Sequence, residues 1–267
     1  MCRPLILLTN DDGIESPGLR AAAEAVLDLG DLLIAAPRHQ QSSMGRSLWG
    51  NRNDRLEPWD YEVLGQRVPA YACNAAPALT VLHALHVLCT GRRPALAVAG
   101  INYGENLGRN VTLSGTVGAG LEAASLGVPA LAMSLQTDVE SHYCHGEEDW
   151  TGAKHFTRWF ARRMLRARMP HDVDVLNVNV PRGASADTPS RITRLSRHSY
   201  FSIQMDAPGL HSRISDGRVG VYLDRALIEV DSDIHALAVE RVVSVSALSL
   251  DLTSRVALGS LDHLLQE

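Results

Sequence analysis

Residues 5–37 read LILLTNDDGIESPGLRAAAEAVLDLGDLLIAAP, and the fold follows from this stretch. Leu5 to Leu8 is an unbroken apolar run, too short for a buried helix and lacking the alternation of a strand with one wet face. It suits a strand covered on both faces. Ser16 is placed to cap a helix that begins at Pro17, keeps helical spacing to Leu29 and is closed by Gly30. Asp31–Pro37 (DLLIAAP) is then a second fully apolar strand. Two buried strands joined by a helix predict parallel pairing.

The alternation continues along the chain. One or two short β segments are expected over 61–73, a helix over 77–89 and a buried strand, PALAVAG, over 94–100. A Gly/Asn-rich loop over 101–110 leads to a helix over 115–126, and a strand over 129–135 follows. A polar loop over 136–148, a helix over about 149–168 and a strand over 173–180 complete the series. This predicts an α/β protein with a parallel sheet and helices on both sides. Ligands in such sheets bind beyond the carboxyl ends of the strands, near a reversal of strand order. The loops at 10–13, 37–47 and 101–116 therefore belong on one rim. After Pro181 the composition shifts to Ser, Asp, Gly and Arg, with short β-like pieces over 219–223 and 227–230, a strand over 242–252 and a terminal helix over Leu258–Leu265. The chain divides into a main domain over 1–181 and a β-rich extension over 182–267 suited to oligomerisation.

Composition narrows the classes of function. With 45% hydrophobic and 21% charged residues among 267, the chain can bury a sizeable core and is not disordered. A net charge of −5 leaves no basic stripe for duplex nucleic acid. Arg38, Arg46, Arg52 and Arg55 do cluster in one loop, which is either a solvated segment or a cationic rim to an anion site. Cys2, Cys73, Cys89 and Cys144 form no CxxC pair, which argues against zinc-ribbon and thioredoxin chemistry. No signal-peptide pattern and no bilayer-length apolar stretch occurs, so a cytoplasmic protein without membrane contact is expected. His83 with His86, and His142 with Cys144 and His145, lack further ligands at zinc spacing.

Asn10-Asp11-Asp12-Gly13 follows the first strand directly. A turn at Gly13 lets both carboxylates reach the rim as hard oxygen ligands for Mg2+, Mn2+ or Ca2+. The same residues, alone, equally suit an Asx turn leading into Pro17. The segment Gly100-Ile-Asn102-Tyr-Gly104-Glu-Asn106-Leu-Gly108 offers close backbone approach and amide groups. Ser114-Gly115-Thr116 opens a helix, where free N–H groups and the helix dipole favour phosphate. Ser42 and Ser43 add hydroxyls. Carboxylates, amides and a helix N-terminus on one rim predict a metal-assisted phosphoryl site.

The stretches LILLTNDDGIESPGL (5–19), AAPRHQQSS (35–43), VAGINYGENLG (98–108), LSGTVGAGLEAASLGVPALAMS (113–134) and VLNVNVP (175–181) resemble the SurE family of survival-protein phosphatases, with a fainter echo over 232–253. The resemblance implies a Rossmann-like three-layer α/β/α main domain and a C-terminal β extension that swaps between subunits of a homodimer or homotetramer. It implies one divalent ion per subunit, Mg2+ or Mn2+, held by Asp11, Asp12, Ser42 and Asn102. Asp11 and Asp12 would be catalytic, with Asn10, Ser43, Asn106, Ser114, Gly115 and Thr116 around the phosphate. The implied activity is hydrolysis of nucleoside monophosphates or related small phosphate monoesters. A phosphatase dedicated to one phosphorylated metabolite, or a nucleotide-binding module without catalysis, are the alternatives. The chain departs from the family pattern at Arg38, where an acidic residue is usual, and over 75–80, 113–117 and 244–248.

Overall fold

The computed structural model describes residues 3–142, 144–221 and 223–265. The first strand, β1 (Leu5–Thr9), and the first helix, α1 (Pro17–Val26), lie where the sequence puts them. The Ser16 hydroxyl accepts from the Gly18 N–H and Pro17 opens the helix. Next come β2 (Asp31–Pro37) and a set of short strands: β3 (Glu57–Trp59), β4 (Glu62–Val63), β5 (Gln66–Arg67) and β6 (Ala70–Cys73). Helix α2 (Pro77–Val87), strand β7 (Leu96–Tyr103), helix α3 (Gly115–Ser125) and strand β8 (Ala130–Leu135) follow. Helix α4 (Thr151–Met164) and strand β9 (Val175–Val180) close the alternating part. The remainder carries β10 (Ser190–Thr193), β11 (Phe201–Gln204), β12 (Arg218–Val221), β13 (Val243–Leu248) and α5 (Leu258–Leu265).

Nine strands form one sheet in the order β10-β13-β9-β8-β7-β1-β2-β6-β3. The six from β9 to β6 are parallel, and β13 and β3 run antiparallel to their neighbours β9 and β6. From β1 the chain steps to β2 and β6 on one side, then returns to β7, β8 and β9 on the other. The reversal of strand order thus falls between β1 and β7.

Alternation along β1 sorts its side chains between two buried layers. Ile6 and Leu8 pack with Leu19, Val26, Phe156 and Phe160 of α1 and α4. Leu7 faces the opposite way, with Val81 of α2 and Val117 of α3. Both faces of the sheet are covered, giving a three-layer α/β/α fold, and the strands are apolar throughout for that reason.

Two local readings need correction. The strand expected to end at Gly100 continues to Tyr103, paired with β8 across a register shift between Ala99 and Asn102. Such a bulge re-aims side chains, here at a strand end on the rim. Residues 227–230 form a turn, not a strand. Glu229 takes bonds there from the Ser196 hydroxyl and the Arg197 N–H, and Ile228 is buried with Leu107 and Ile234. Strands β10 and β13 come from beyond residue 181 and join the main sheet. The β11–β12 hairpin stands apart from it as a two-stranded sheet. No helix among the described residues is long and apolar enough to cross a membrane.

Candidate metal and phosphate site

Strand β1 ends at the reversal of strand order, and the chain turns at Gly13 (φ 97°). This leaves Asp11 and Asp12 side by side and buried, at 5% and 3% exposure. The Thr116 hydroxyl donates to Asp11 Oδ1. Asp12 Oδ2 accepts from the Tyr103 N–H at 3.1 Å, and its Oδ1 accepts from Gln40 Nε2 at 3.2 Å. Burial pushes the pKa of both carboxyls up, and the neighbouring Asp11 charge pushes Asp12 up further. Among the described residues, neither carboxylate forms an ion pair with a cationic side chain, and none is named among the causes of either shift. Two buried carboxylates without a counter-charge are costly unless something offsets them.

Helix α3 meets this pair head-on. A Cβ on Gly115 would lie 2.7 Å from both Cβ and Oδ2 of Asp11, so only glycine lets the helix start so close. The backbone at Gly115 and Thr116 lies beside the Asp11 carboxylate and partly offsets the effect of burial on its pKa, and the dipole at the helix start favours its ionised form. Ser114 caps the helix, its Oγ accepting from the Val117 N–H at 3.1 Å. Its own O–H is a donor still to be placed.

Beside the pair opens a cavity of about 420 Å³ whose polar wall includes Asp11, Ser42, Ser43, Asn102, Asn106 and Ser114. The structure thus brings these six sequence-derived candidates to one place. Asp12, Gly115 and Thr116 are buried against the same cluster. Asn10 is fully buried, with Nδ2 given to the Gly13 carbonyl at 2.8 Å and Oδ1 left without a partner. Asn102 spends its amide N–H groups on the Tyr103 and Gly104 carbonyls at 3.1 and 2.7 Å, so its Oδ1 keeps its acceptor capacity. Asn106 is fixed from three sides. Its N–H meets Asn179 Oδ1 at 2.7 Å, its carbonyl accepts from Asn177 and Asn179, and its Nδ2 donates to Ser134 Oγ at 2.8 Å.

Among the described residues, no cationic rim lines the cavity. Arg38 pairs with Glu57 at 2.6 Å and lies over Trp59, while Arg46 pairs with Glu122 of α3 at 2.7 Å. Arg52 and Arg55 are exposed, and no arginine is among the described residues that line the cavity. No group of three or more His, Cys, Asp or Glu suited to a metal occurs among the described residues, so the zinc readings gain no support. What the site offers is oxygen: two carboxylates, the Asn102 amide and the Ser42 hydroxyl. That donor set, with its uncompensated negative charge, fits a hard divalent cation.

A family model described as Survival protein SurE matches residues 6–202, a span that contains every rim loop. The chain belongs to the SurE family. It is 39% identical over 258 residues to the 5'-nucleotidase SurE of Methanocella arvoryzae, covering 93% of each chain. It is 40% identical over 265 residues to the 5'-nucleotidase SurE of Thermococcus gammatolerans, covering 97% of this chain and 95% of the relative. The crystal structure of the SurE protein from Aquifex aeolicus superposes with a TM-score of 0.75 at 26% identity, covering 98% of this chain and 99% of that one.

In this SurE chain, some site residues were missed by motif reading. Gln40 supports Asp12, and Asn177 and Asn179 hold Asn106. The asparagines did carry a signal, since two amides in an otherwise apolar strand need buried partners. Glu105, Asn110, His142 and Phe201 also line the cavity. Burial lowers the pKa of His142. Burial pushes Glu105 up to about 7, offset in part by Tyr200 beside it. Phe201 comes from β11, too remote in sequence for any motif to connect it with residue 11.

Proposed function

We propose that this SurE-family chain is a divalent-metal-dependent phosphomonoesterase acting on nucleoside monophosphates. The observation that carries it is the buried, uncompensated Asp11-Asp12 pair beside a cavity walled by hydroxyls, amides and a helix start. One Mg2+ or Mn2+ per chain would be held by Asp11, Asp12, Ser42 and Asn102. When bound, it supplies positive charge that neutralises the phosphate and favours attack by water.

The chain's own groups do the positioning. Thr116 and the start of α3 fix the Asp11 carboxylate, while Tyr103 and Gln40 fix Asp12. Asp11 is the member of the pair on the cavity wall, so it is the one placed to orient the attacking water. The second N–H of Asn106 Nδ2 and the Ser114 and Ser43 hydroxyls are donors for the phosphate oxygens. The supports of Asn106 and Ser114 fix these two before substrate arrives, so little reorganisation is needed as charge develops. Protein stripped with a chelator is expected to release no phosphate from a nucleoside monophosphate and to recover on addition of Mn2+. Equal turnover in both states contradicts the reading.

The β11–β12 hairpin and the loop that joins its two strands expose Ile203, Leu210, Ile214 and Val219, a set of apolar side chains that a monomer leaves wet. This supports self-association through the C-terminal region into a homodimer or homotetramer. Light scattering after size exclusion is expected to give a multiple of 29.0 kDa for the wild type and a lower mass for the doubly substituted Leu210→Asp, Ile214→Asp protein. Identical masses argue against this surface.

A further inference from the structure

The outer face of α4, with the turn that follows it, carries chemistry that the phosphate site does not use. The inner face is spent on the core, where Phe156, Phe160 and Met164 are buried. On the outside, arginines recur at every fourth position as Arg158, Arg162 and Arg166, all exposed. Helical bonding persists far enough to keep them in line, since the Ala167 N–H still reaches the Arg163 carbonyl at 2.9 Å. Residues four apart share one side of a helix and rise about 6 Å per step. A second row with the same spacing, His155, Trp159 and Arg163, runs beside the first. Together these six residues line a groove of about 600 Å³ that shares none of its lining with the cavity at Asp11.

Arg158 is partly neutralised by a forked pair with Asp28, its Nη2 lying 2.7 Å from Asp28 Oδ2. Arg162, Arg163 and Arg166 join no ion pair among the described residues. Arg163 instead places its guanidinium carbon 3.2 Å above the centre of the Trp159 ring. A cation over an indole face is held in position, and the planar group keeps its outer side open. One or two basic residues in a last turn answer the helix dipole, which accounts for Arg162 or Arg163. The dipole does not account for three uncompensated guanidinium groups around an aromatic ring in a chain of net charge −5.

We propose that this face of α4 binds single-stranded nucleic acid, with backbone phosphates along Arg158, Arg162 and Arg166 and a base stacked on the Arg163–Trp159 pair. The guanidinium fork matches phosphate oxygens two at a time, and successive forks follow an extended backbone. Aromatic and guanidinium planes stack on any base, so such a surface is tolerant of sequence. A duplex hides its base faces and leaves the stack nothing to hold. An anionic bilayer fits less well, because the apolar side of α4 faces the core and offers no wedge to insert. Averaged over the chain, the net charge conceals this stripe. The proposal goes beyond the phosphomonoesterase reading and does not depend on it.

The test is fluorescence anisotropy of oligo(U) and oligo(dT) of about 12 nucleotides, bound to the full chain. Fluorescein replaces the 5' phosphate monoester, so the Asp11 cavity is offered no monoester. Between about 50 and 200 mM salt, wild-type affinity is expected to fall with a log–log slope of about −2, the value for three phosphate contacts on a single strand. The double variant Arg162→Gln, Arg166→Gln is expected to bind about ten-fold more weakly at the lower salt, with a slope of about −0.7. Trp159→Leu is expected to weaken binding about ten-fold with the slope unchanged. Asp28→Asn, which frees Arg158, is expected to strengthen binding about three-fold. Thermal unfolding verifies that each variant is folded. This pattern on either oligonucleotide sustains the proposal, and the tighter of the two names the nucleic acid. Absence of wild-type binding at the lower salt overturns it, as do equal affinities for the wild type and the double arginine variant. Tighter binding of the same strands annealed to their complements overturns it too. So does capture of phosphatidylglycerol vesicles through these arginines by a protein that ignores both oligonucleotides.

Discussion

Residue chemistry in this site depends on what surrounds each side chain, and Glu105 makes the point. The glutamate sits three positions beyond Asn102 on the cavity wall, and burial lifts it from 4.5 to about 7. An acid whose pKa is raised by folding favours the folded state at low pH, and that contribution is lost as pH climbs from about 4.5 to about 7. The shift corresponds to about 3 kcal/mol. Glu105→Gln lacks the titration, so the wild type is expected to lose stability relative to it over that window. Parallel urea-unfolding profiles for the two proteins across pH 4.5–7.5 would contradict this. Nothing at the level of motif distinguishes Glu105 from Glu15, which lies exposed on the surface. Asp11 and Asp12 were legible because two adjacent carboxylates at the end of an apolar strand are chemically unusual. Gln40 was not, since its role depends on a loop conformation that brings residue 40 to residue 12.

Elements were legible wherever both ends were marked. Ser16-Pro17 fixed the start of α1 and the run to Pro37 fixed β2, because capping and burial are local in sequence. The end of β7 was misjudged, because Gly100, Asn102 and Gly104 read as a loop while the neighbouring strand β8 extends the pairing to Tyr103. That extension matters: it carries the Tyr103 N–H to Asp12. The start of α3 is the element most tightly coupled to the site. Gly115→Ala would drive a methyl group into Asp11, displacing the carboxylate or the helix. With reacting groups moved by an ångström or less, kcat/KM is expected to drop about 100-fold. The fold should persist with a stability loss of about 1–3 kcal/mol, typical of local overpacking. A Gly115→Ala enzyme with unaltered turnover and Mn2+ affinity would show that helix and carboxylate are not coupled in this way.

At the scale of the whole molecule, the sheet brings the pieces together. Residues 11, 42, 102 and 114 are far apart in sequence and share one rim because the strand order reverses between β1 and β7. The parallel sheet and its rim could be read from the alternation of buried strands and helices. The inclusion of β10 and β13 in the same sheet could not, because short strands in a polar stretch carry no signal of which sheet they join. The same holds for the hairpin, whose place over the cavity is fixed by Asn110 and by the packing of Tyr200. The central claim is that Asp11 holds a divalent ion essential to phosphate ester hydrolysis. It is tested most directly by the steady-state turnover of a nucleoside monophosphate by Asp11→Asn at saturating Mn2+, with folding verified by circular dichroism. Losing a ligand and its charge is expected to lower kcat/KM about 1000-fold or more, on the order of 4 kcal/mol of transition-state stabilisation. Turnover within a few-fold of the wild type, still dependent on Mn2+, would contradict the account.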